Sequence, residues 1–227
     1  MRLRKVGVVL LVLLAAMTFV PCVSAYQASN YGTNYNDGLD TSTVAQTAQS
    51  EQNSMGYSAS NILNSNADSA FSRMASDNVF FFDGHGDAGR ILFKQNGVSS
   101  VITATNLNYP RLSSYTSNEL DDIALAVYMA CNTANTNSIN GNLLDESTSR
   151  GVDAVVGFSN NINSAQAGYW SGRFWNYLDE RYNINDAAVF ATSDTRTNYG
   201  NNNLGGLDYY VIRGSISSAI DPARAGY

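Results

Sequence analysis

Three short apolar runs constrain the fold of this chain more than any other feature. Residues 79–82 and 123–130 contain no charged or turn-forming residue, and residues 152–158 are interrupted only by Asp153 and Gly157. Such runs lack the alternation of a half-buried strand, so both faces need cover, which is the pattern of strands inside a parallel sheet. Helical periods lie between and around them. Residues 60–75 bring Ile62, Leu63, Ala67, Ala70, Phe71 and Met74 to one face. Residues 143–150 form a short helix stopped by Gly151. Asn163 or Ser164 starts a long helix on which Ala167, Trp170, Phe174, Leu178 and Tyr182 recur as a core face, and residues 184–193 form another. A further helix, capped by Thr41 or Thr43, runs to Ser54. Residues 91–93 and 98–103 flank a Gly-containing turn and read as a hairpin, and residues 207–213 read as a closing strand. Strands alternating with helices predict an α/β fold with a mostly parallel central sheet and helices on both faces.

The N terminus reads as a secretory signal peptide over residues 1–25. Arg2, Arg4 and Lys5 precede an apolar run over residues 8–20, and Val23-Ser24-Ala25 suits cleavage before Tyr26. That run is shorter than the ~20 residues a spanning helix needs, so no stable membrane insertion is expected and the mature protein is expected to be secreted or in the cell envelope. Lipid attachment at Cys22 is opposed by Pro21, which stands where a small residue is required. The leader takes away three of thirteen basic residues and none of nineteen acidic ones, so the formal charge moves from -6 to ten minus nineteen, or -9. Nucleic acid and anionic membrane are therefore not expected partners. Residues 26–40, rich in Asn, Tyr and Gly with no apolar period, read as a flexible arm, a gate over the site or a tether, dispensable for folding. One domain over residues 41–227 remains.

Without the leader the chain has one histidine and one cysteine. His85 follows the run 79–82 in Phe82-Asp83-Gly84-His85-Gly86, and Cys131 follows the run 123–130. An imidazole that helps a thiol to its thiolate is the smallest constellation capable of acyl transfer. Ligands of parallel sheets bind beyond the carboxyl ends of the strands, so adjacent strands would bring both groups to one edge. Taken singly, Cys131 also fits a buried small residue and His85 a hydrogen-bonded turn. Gly84-His85-Gly86-Asp87-Ala88-Gly89 satisfies the G-x-G-x-x-G spacing, but residues 90–93 read as strand and residues 106–110 hold no acid for a ribose. One His and one Cys would need two further carboxylates to hold zinc. No metal and no cofactor are expected, and a single exported thiol forms no internal disulfide.

A buried strand ending in His-Gly, followed by a buried strand ending in Ala-Cys, resembles the caspase, gingipain, legumain and clostripain clan of cysteine peptidases. The stretch Tyr128-Met129-Ala130-Cys131-Asn132-Thr133, with Leu143-Leu144 and Gly151-Val152-Asp153-Ala154-Val155-Val156-Gly157-Phe158, is similar to CHAT- and gingipain-type caspase-like domains. The resemblance covers about residues 60–193. It implies a caspase-like three-layer sandwich acting on a peptide or protein substrate. Cys131 would be the nucleophile, His85 the general acid and base, and the N–H groups of Gly86 and Cys131 the oxyanion hole. Relatives that cut after Arg or Lys commonly carry an acid two residues before the cysteine, where this chain has Met129. Asp83, Asp87 and Asp153 are the remaining candidate pocket acids. The non-enzymatic alternative is a catalytically silent caspase-like domain that binds at the cell surface through its Asn- and Tyr-rich loops.

Overall fold

The structure, a computed structural model, describes residues 26–200, 204–220 and 222; the signal peptide read over residues 1–25 lies outside the described residues. In chain order the elements are β1 (Gln27–Gly32), α1 (Ser42–Met55), β2 (Ser58–Leu63), α2 (Ala67–Met74), β3 (Val79–Asp83), β4 (His85–Asp87), β5 (Arg90–Gln95), β6 (Val98–Thr103), β7 (Leu125–Met129), α3 (Leu143–Ser149), β8 (Ala154–Phe158), α4 (Ser164–Asp179), α5 (Ile184–Tyr199) and β9 (Tyr210–Gly214). Six strands form the central sheet in the order β2-β1-β3-β7-β8-β9, and β4, β5 and β6 form a small antiparallel sheet beside it. Every neighbouring pair in the central sheet is parallel except β8 and β9. The three apolar runs became β3, β7 and β8, side by side, with every residue buried.

Successive strand residues point to opposite faces, and β3 shows why its run is unbroken. Val79 and Phe81 join Trp170, Phe174 and Trp175 in the core beneath α1, α4 and α5. Phe80 and Phe82 join Ala67, Ala70, Met74, Ile91 and Phe93 in the core beneath α2 and the hairpin. Burying each such ring stabilises the fold by roughly 1.5–3 kcal/mol, and a polar residue here would forfeit that on whichever face it lay. The result is the three-layer α/β sandwich.

Four sequence expectations are corrected. The arm over residues 26–40 is not a flexible appendage, because β1 is an interior strand paired with both β2 and β3, and Ala28 to Gly32 are buried. Its polar composition hid it. Asn30 and Gln52 of α1 exchange two side-chain hydrogen bonds of 2.6 and 2.9 Å, and the Ser29 hydroxyl donates to Asp77 at 2.8 Å and accepts from Arg73 Nε at 2.7 Å. Paired in this way, polar side chains can occupy a core position that apolar periodicity cannot reveal.

The helix expected over residues 60–75 is a strand followed by a shorter helix. Ile62 and Leu63 belong to β2, Asn64 turns the chain with a φ of 51°, and Asn66 caps α2 by accepting the Ser69 N–H at 2.8 Å. Only Ala67, Ala70 and Met74 carry the buried helical face. Similarly, α4 ends at Asp179, so Tyr182 leaves the core face and packs on the surface against Tyr177 and Phe190, whereas Trp170 and Phe174 are fully buried. Residues 207–209 form a turn of 3₁₀-helix before β9.

Candidate active site

His85 and Cys131 line one cavity of about 280 Å³ at the carboxyl edge of the central sheet, together with Leu39, Asp83, Gly84, Ile162, Asn163, Ser164 and Ala167. The sheet brings them there because β3 and β7 are parallel neighbours, in register from Val79 opposite Leu125 to Asp83 opposite Met129. Each strand therefore ends at the same height, and the second residue after each end, His85 and Cys131, lies beyond the edge. His85 itself begins the hairpin β4–β5, and no helix follows, which removes the dinucleotide reading of the glycines around it.

The imidazole is held by the segment that the sequence reading treated as an arm. His85 Nε2 lies 2.8 Å from Asp37 Oδ2, and the Tyr35 ring packs against the imidazole with centroids 4.5 Å apart. Residues 33–41 form a closed loop after β1. Tyr35 N–H donates to the Leu39 carbonyl at 2.9 Å, Asn34 bridges to Asp40, and the Thr41 hydroxyl donates to the Asp83 carbonyl at 2.8 Å. Lys94 Nζ of β5 donates to the Tyr35 carbonyl at 2.6 Å. The hydrogen bond from His85, followed by that from the Leu39 N–H, holds the Asp37 carboxyl below the usual carboxylate range. Sequence reasoning missed both Asp37 and Tyr35. The one local signal was Asp37-Gly38, a turn dipeptide that presents its acid at a loop tip.

Cys131 is half-buried. Its sulfur accepts the Ile162 N–H at 3.4 Å and lies 3.8 Å from the Ile162 carbonyl oxygen, so thiol and imidazole are each bonded to a different loop and not to one another. The Cys131 N–H has no hydrogen-bond acceptor among the described residues. Gly86 lies close to it. A Cβ on Gly86 would come within 2.7 Å of the Ala130 Cβ and 3.1 Å of Thr133 Cγ2, so the glycine is first of all a packing requirement between the two loops.

The four pocket candidates separate. Asp83 lines the cavity and is buried, and desolvation pushes its carboxyl up to about 8. Met129 is its registered partner, fully buried in the core below and not part of the cavity lining. Asp87 is exposed, pairs with Arg90 at 3.2 Å and borders a smaller cavity on the other side of His85. Asp153 is corrected out of the site: it precedes β8 at the amino edge of the sheet, where its N–H donates to the Ile123 carbonyl. Among the described residues, no three His, Cys, Asp or Glu side chains cluster to hold a metal ion. A second cavity of about 510 Å³ between α1 and α4 shares Leu39 and Ser164 with the first and contains neither the thiol nor the imidazole.

No family model and no curated protein matches the sequence. Solved structures do match the fold. Gingipain R, described as an Arg-specific cysteine proteinase, superposes with a TM-score of 0.62 at 11% identity over 84% of this chain and 46% of its own. The complex of Porphyromonas gingivalis RgpB pro- and mature domains gives 0.62 at 10% identity over 86% and 48%. Caspase-1 from Spodoptera frugiperda gives 0.50 at 9% identity over 84% and 87%. The fold is that of the caspase-like cysteine peptidase clan. This caspase-like chain spans about half the length of the gingipain chains it matches. No helix among the described residues is long and apolar enough to cross a membrane.

Proposed function

We propose that this caspase-like protein is a secreted cysteine endopeptidase with Cys131 as nucleophile and His85 as acid and base. The observation that carries the reading is the shared cavity: the only described thiol and the only imidazole lie over the ends of two adjacent parallel strands. Asp37 is a positioning residue. With His85 Nε2–H donated to its carboxylate, Nδ1 is the nitrogen free to exchange a proton with the reacting groups. The Cys131 thiol gives its proton to His85, and its sulfur attacks the scissile carbonyl carbon. The C–N bond breaks as the imidazolium protonates the leaving amine, which leaves a thioester on Cys131. Water then gives its proton to His85 and attacks the thioester, the acid product leaves, and the thiol regains a proton. The unpaired Cys131 N–H, with Gly86 beside it, would receive the oxyanion. The larger cavity bordered by Leu39 and Ser164 offers room for substrate beyond the reacting bond. The leader over residues 1–25 would export this chemistry from the cell.

The catalytically silent binding module keeps one point in its favour, the thiol's attachment to the Ile162 backbone instead of the imidazole. A fluorogenic peptide library separates the two readings. Cleavage by the wild type and none by Cys131→Ala supports the peptidase. Cleavage of nothing by the wild type, with Cys131 alkylated no faster than a free cysteine, rejects it in favour of the binding module.

A further inference from the structure

The two edge strands of the central sheet, β2 and β9, are guarded differently. An edge strand exposes a row of unpaired N–H and C=O groups, which proteins commonly protect with charge, proline or a covering element. β9 carries Arg213, paired with Asp145 at 3.2 Å. Residues 52–67, which include β2, contain no charged residue and no proline. In the sheet β2 pairs with β1 alone. The Ser58 N–H donates to the Tyr26 carbonyl and the Asn64 N–H to the Gly32 carbonyl, so the even-numbered residues of β2 turn their backbone groups to β1, and Ala59, Asn61 and Leu63 turn theirs outward.

Of these three, only Ala59 is satisfied. Its N–H donates to Asn53 Oδ1 at 3.1 Å and its carbonyl accepts from Gln49 Nε2 at 3.0 Å, both side chains of α1. The backbone groups of Asn61 and Leu63 form no hydrogen bond with any described residue, and Asn61 Oδ1 is buried without a partner. Leu63 is 45% exposed, and Ile62, between the two open residues, is part-buried on the opposite face against the core beneath α2. The strand that fits this edge has two open residues at the same spacing, an apolar residue between them and no charge. The chain itself offers one. Antiparallel pairing about a two-fold axis sets outward residue against outward residue, and Ala59 is taken by α1. The register that uses every open group of β2 therefore sets Asn61 opposite Leu63 of a second copy and Leu63 opposite Asn61. Each pair exchanges both N–H···O=C bonds, and Ile62 faces its own twin on the axis. Two copies of a chain with an acidic excess also meet with least repulsion on a surface that carries no charge.

We propose that β2 is a homodimer interface, at which two copies pair antiparallel through Asn61, Ile62 and Leu63 and join their six-stranded sheets into one. Strand direction reverses across the axis, so the carboxyl edges of the two sheets, with the cavities over them, face opposite ways. Pairing turns β2 from an edge into an interior strand. That secures β1 and, through the loop after it, the Asp37 partner of His85.

Sedimentation equilibrium of the wild-type protein over a micromolar concentration series is expected to show a reversible monomer–dimer equilibrium. Leu63→Pro removes an outward N–H from each copy and leaves the bonds to β1 in place, and Leu63→Lys brings charge to the edge. Each is expected to raise the dissociation constant roughly tenfold or more, whereas Val98→Lys, at an exposed apolar site on the hairpin, is expected to leave it unchanged. In a Cys131→Ala background treated with oxidised glutathione, Ile62→Cys is expected to form a disulfide-linked dimer, because unbonded antiparallel partners stand at a distance a disulfide can span, and Ser58→Cys is expected to form none. A monomer at every concentration, a dimer as tight in Leu63→Lys as in the wild type, or no cross-link at Ile62→Cys would overturn the proposal. If Leu63→Pro does not fold, Leu63→Lys and the cross-link still decide.

Discussion

Strands β1 and β3 lie side by side in the interior of one sheet and bury opposite kinds of side chain. In β3 four consecutive apolar residues serve both faces, and the strand ends in one buried polar residue, Asp83. In β1 Ser29 and Asn30 are buried, each with side-chain partners supplied by a helix or the turn after it. Both strands then deliver residues to the cavity, β3 through Asp83 and His85, β1 through the loop that carries Asp37 and Leu39. The difference is one of satisfaction. Ser29 and Asn30 have their hydrogen bonds and tie the sheet to the helices, whereas the Asp83 carboxyl, raised by desolvation alone, forms none with a described residue.

The comparison can be broken most severely by removing β1. A chain starting at Asp40 is expected to lose the cooperative fold altogether, because β2 and β3 would lose their common neighbour; far-UV circular dichroism with a urea titration reads this, and a cooperative transition near the full chain's midpoint would contradict it. Phe81→Ala in β3 is expected to cost about 3–5 kcal/mol of unfolding free energy, since it empties a fully buried ring site against Trp175. Asn30→Ala in β1 is expected to cost about 1–3 kcal/mol by leaving Gln52 buried and unpaired. A double variant with Gln52→Ala should cost less than the sum of the single changes, and additivity in urea denaturation would show that the pair is not a unit.

Asp83 gives an effect with a defined sign, read as a slope against pH. Its folded value of about 8 lies above the ordinary carboxylate range, so the folded state keeps a proton that the unfolded chain releases above about pH 4. Its contribution to stability is therefore lost as pH rises toward 8, at up to ~1.4 kcal/mol per pH unit. Asp77, raised to about 6 by desolvation, adds to that slope only at lower pH. Between pH 6.5 and 8, Asp83→Asn should flatten the decline of the urea midpoint, and an unchanged slope would mean that the carboxyl is already ionised there. Asp37→Asn, at an exposed pair, should leave the midpoint in place while lowering kcat roughly tenfold at unchanged KM, the pattern of a residue that positions a general acid and base.

The apolar runs of β3, β7 and β8 were legible because a strand covered on both faces must be apolar at every position. His85 and Cys131 could be picked out by scarcity and by their place after two of those runs. Neither β1 nor Asp37 had a comparable signal. Asn30 is a core residue only because Gln52, twenty-two positions away, meets it, and Asp37 is a neighbour of His85 only because the loop after β1 folds over the end of β3. The helix misread over residues 60–75 failed for a related reason: Ile62 and Leu63 suit a helical period in isolation, and pairing with β1 made them strand.

The sequence alone therefore determined the α/β class, the parallel interior of the sheet and the two residues at its carboxyl edge, since burial on both faces and placement after a strand are written locally. Only the tertiary structure decided which polar segment completes the sheet, which carboxylate holds the imidazole and which is left unpaired beside the thiol. Those depend on hydrogen bonds between residues far apart in the chain, and whether a buried polar group is satisfied is a property of its neighbours in space.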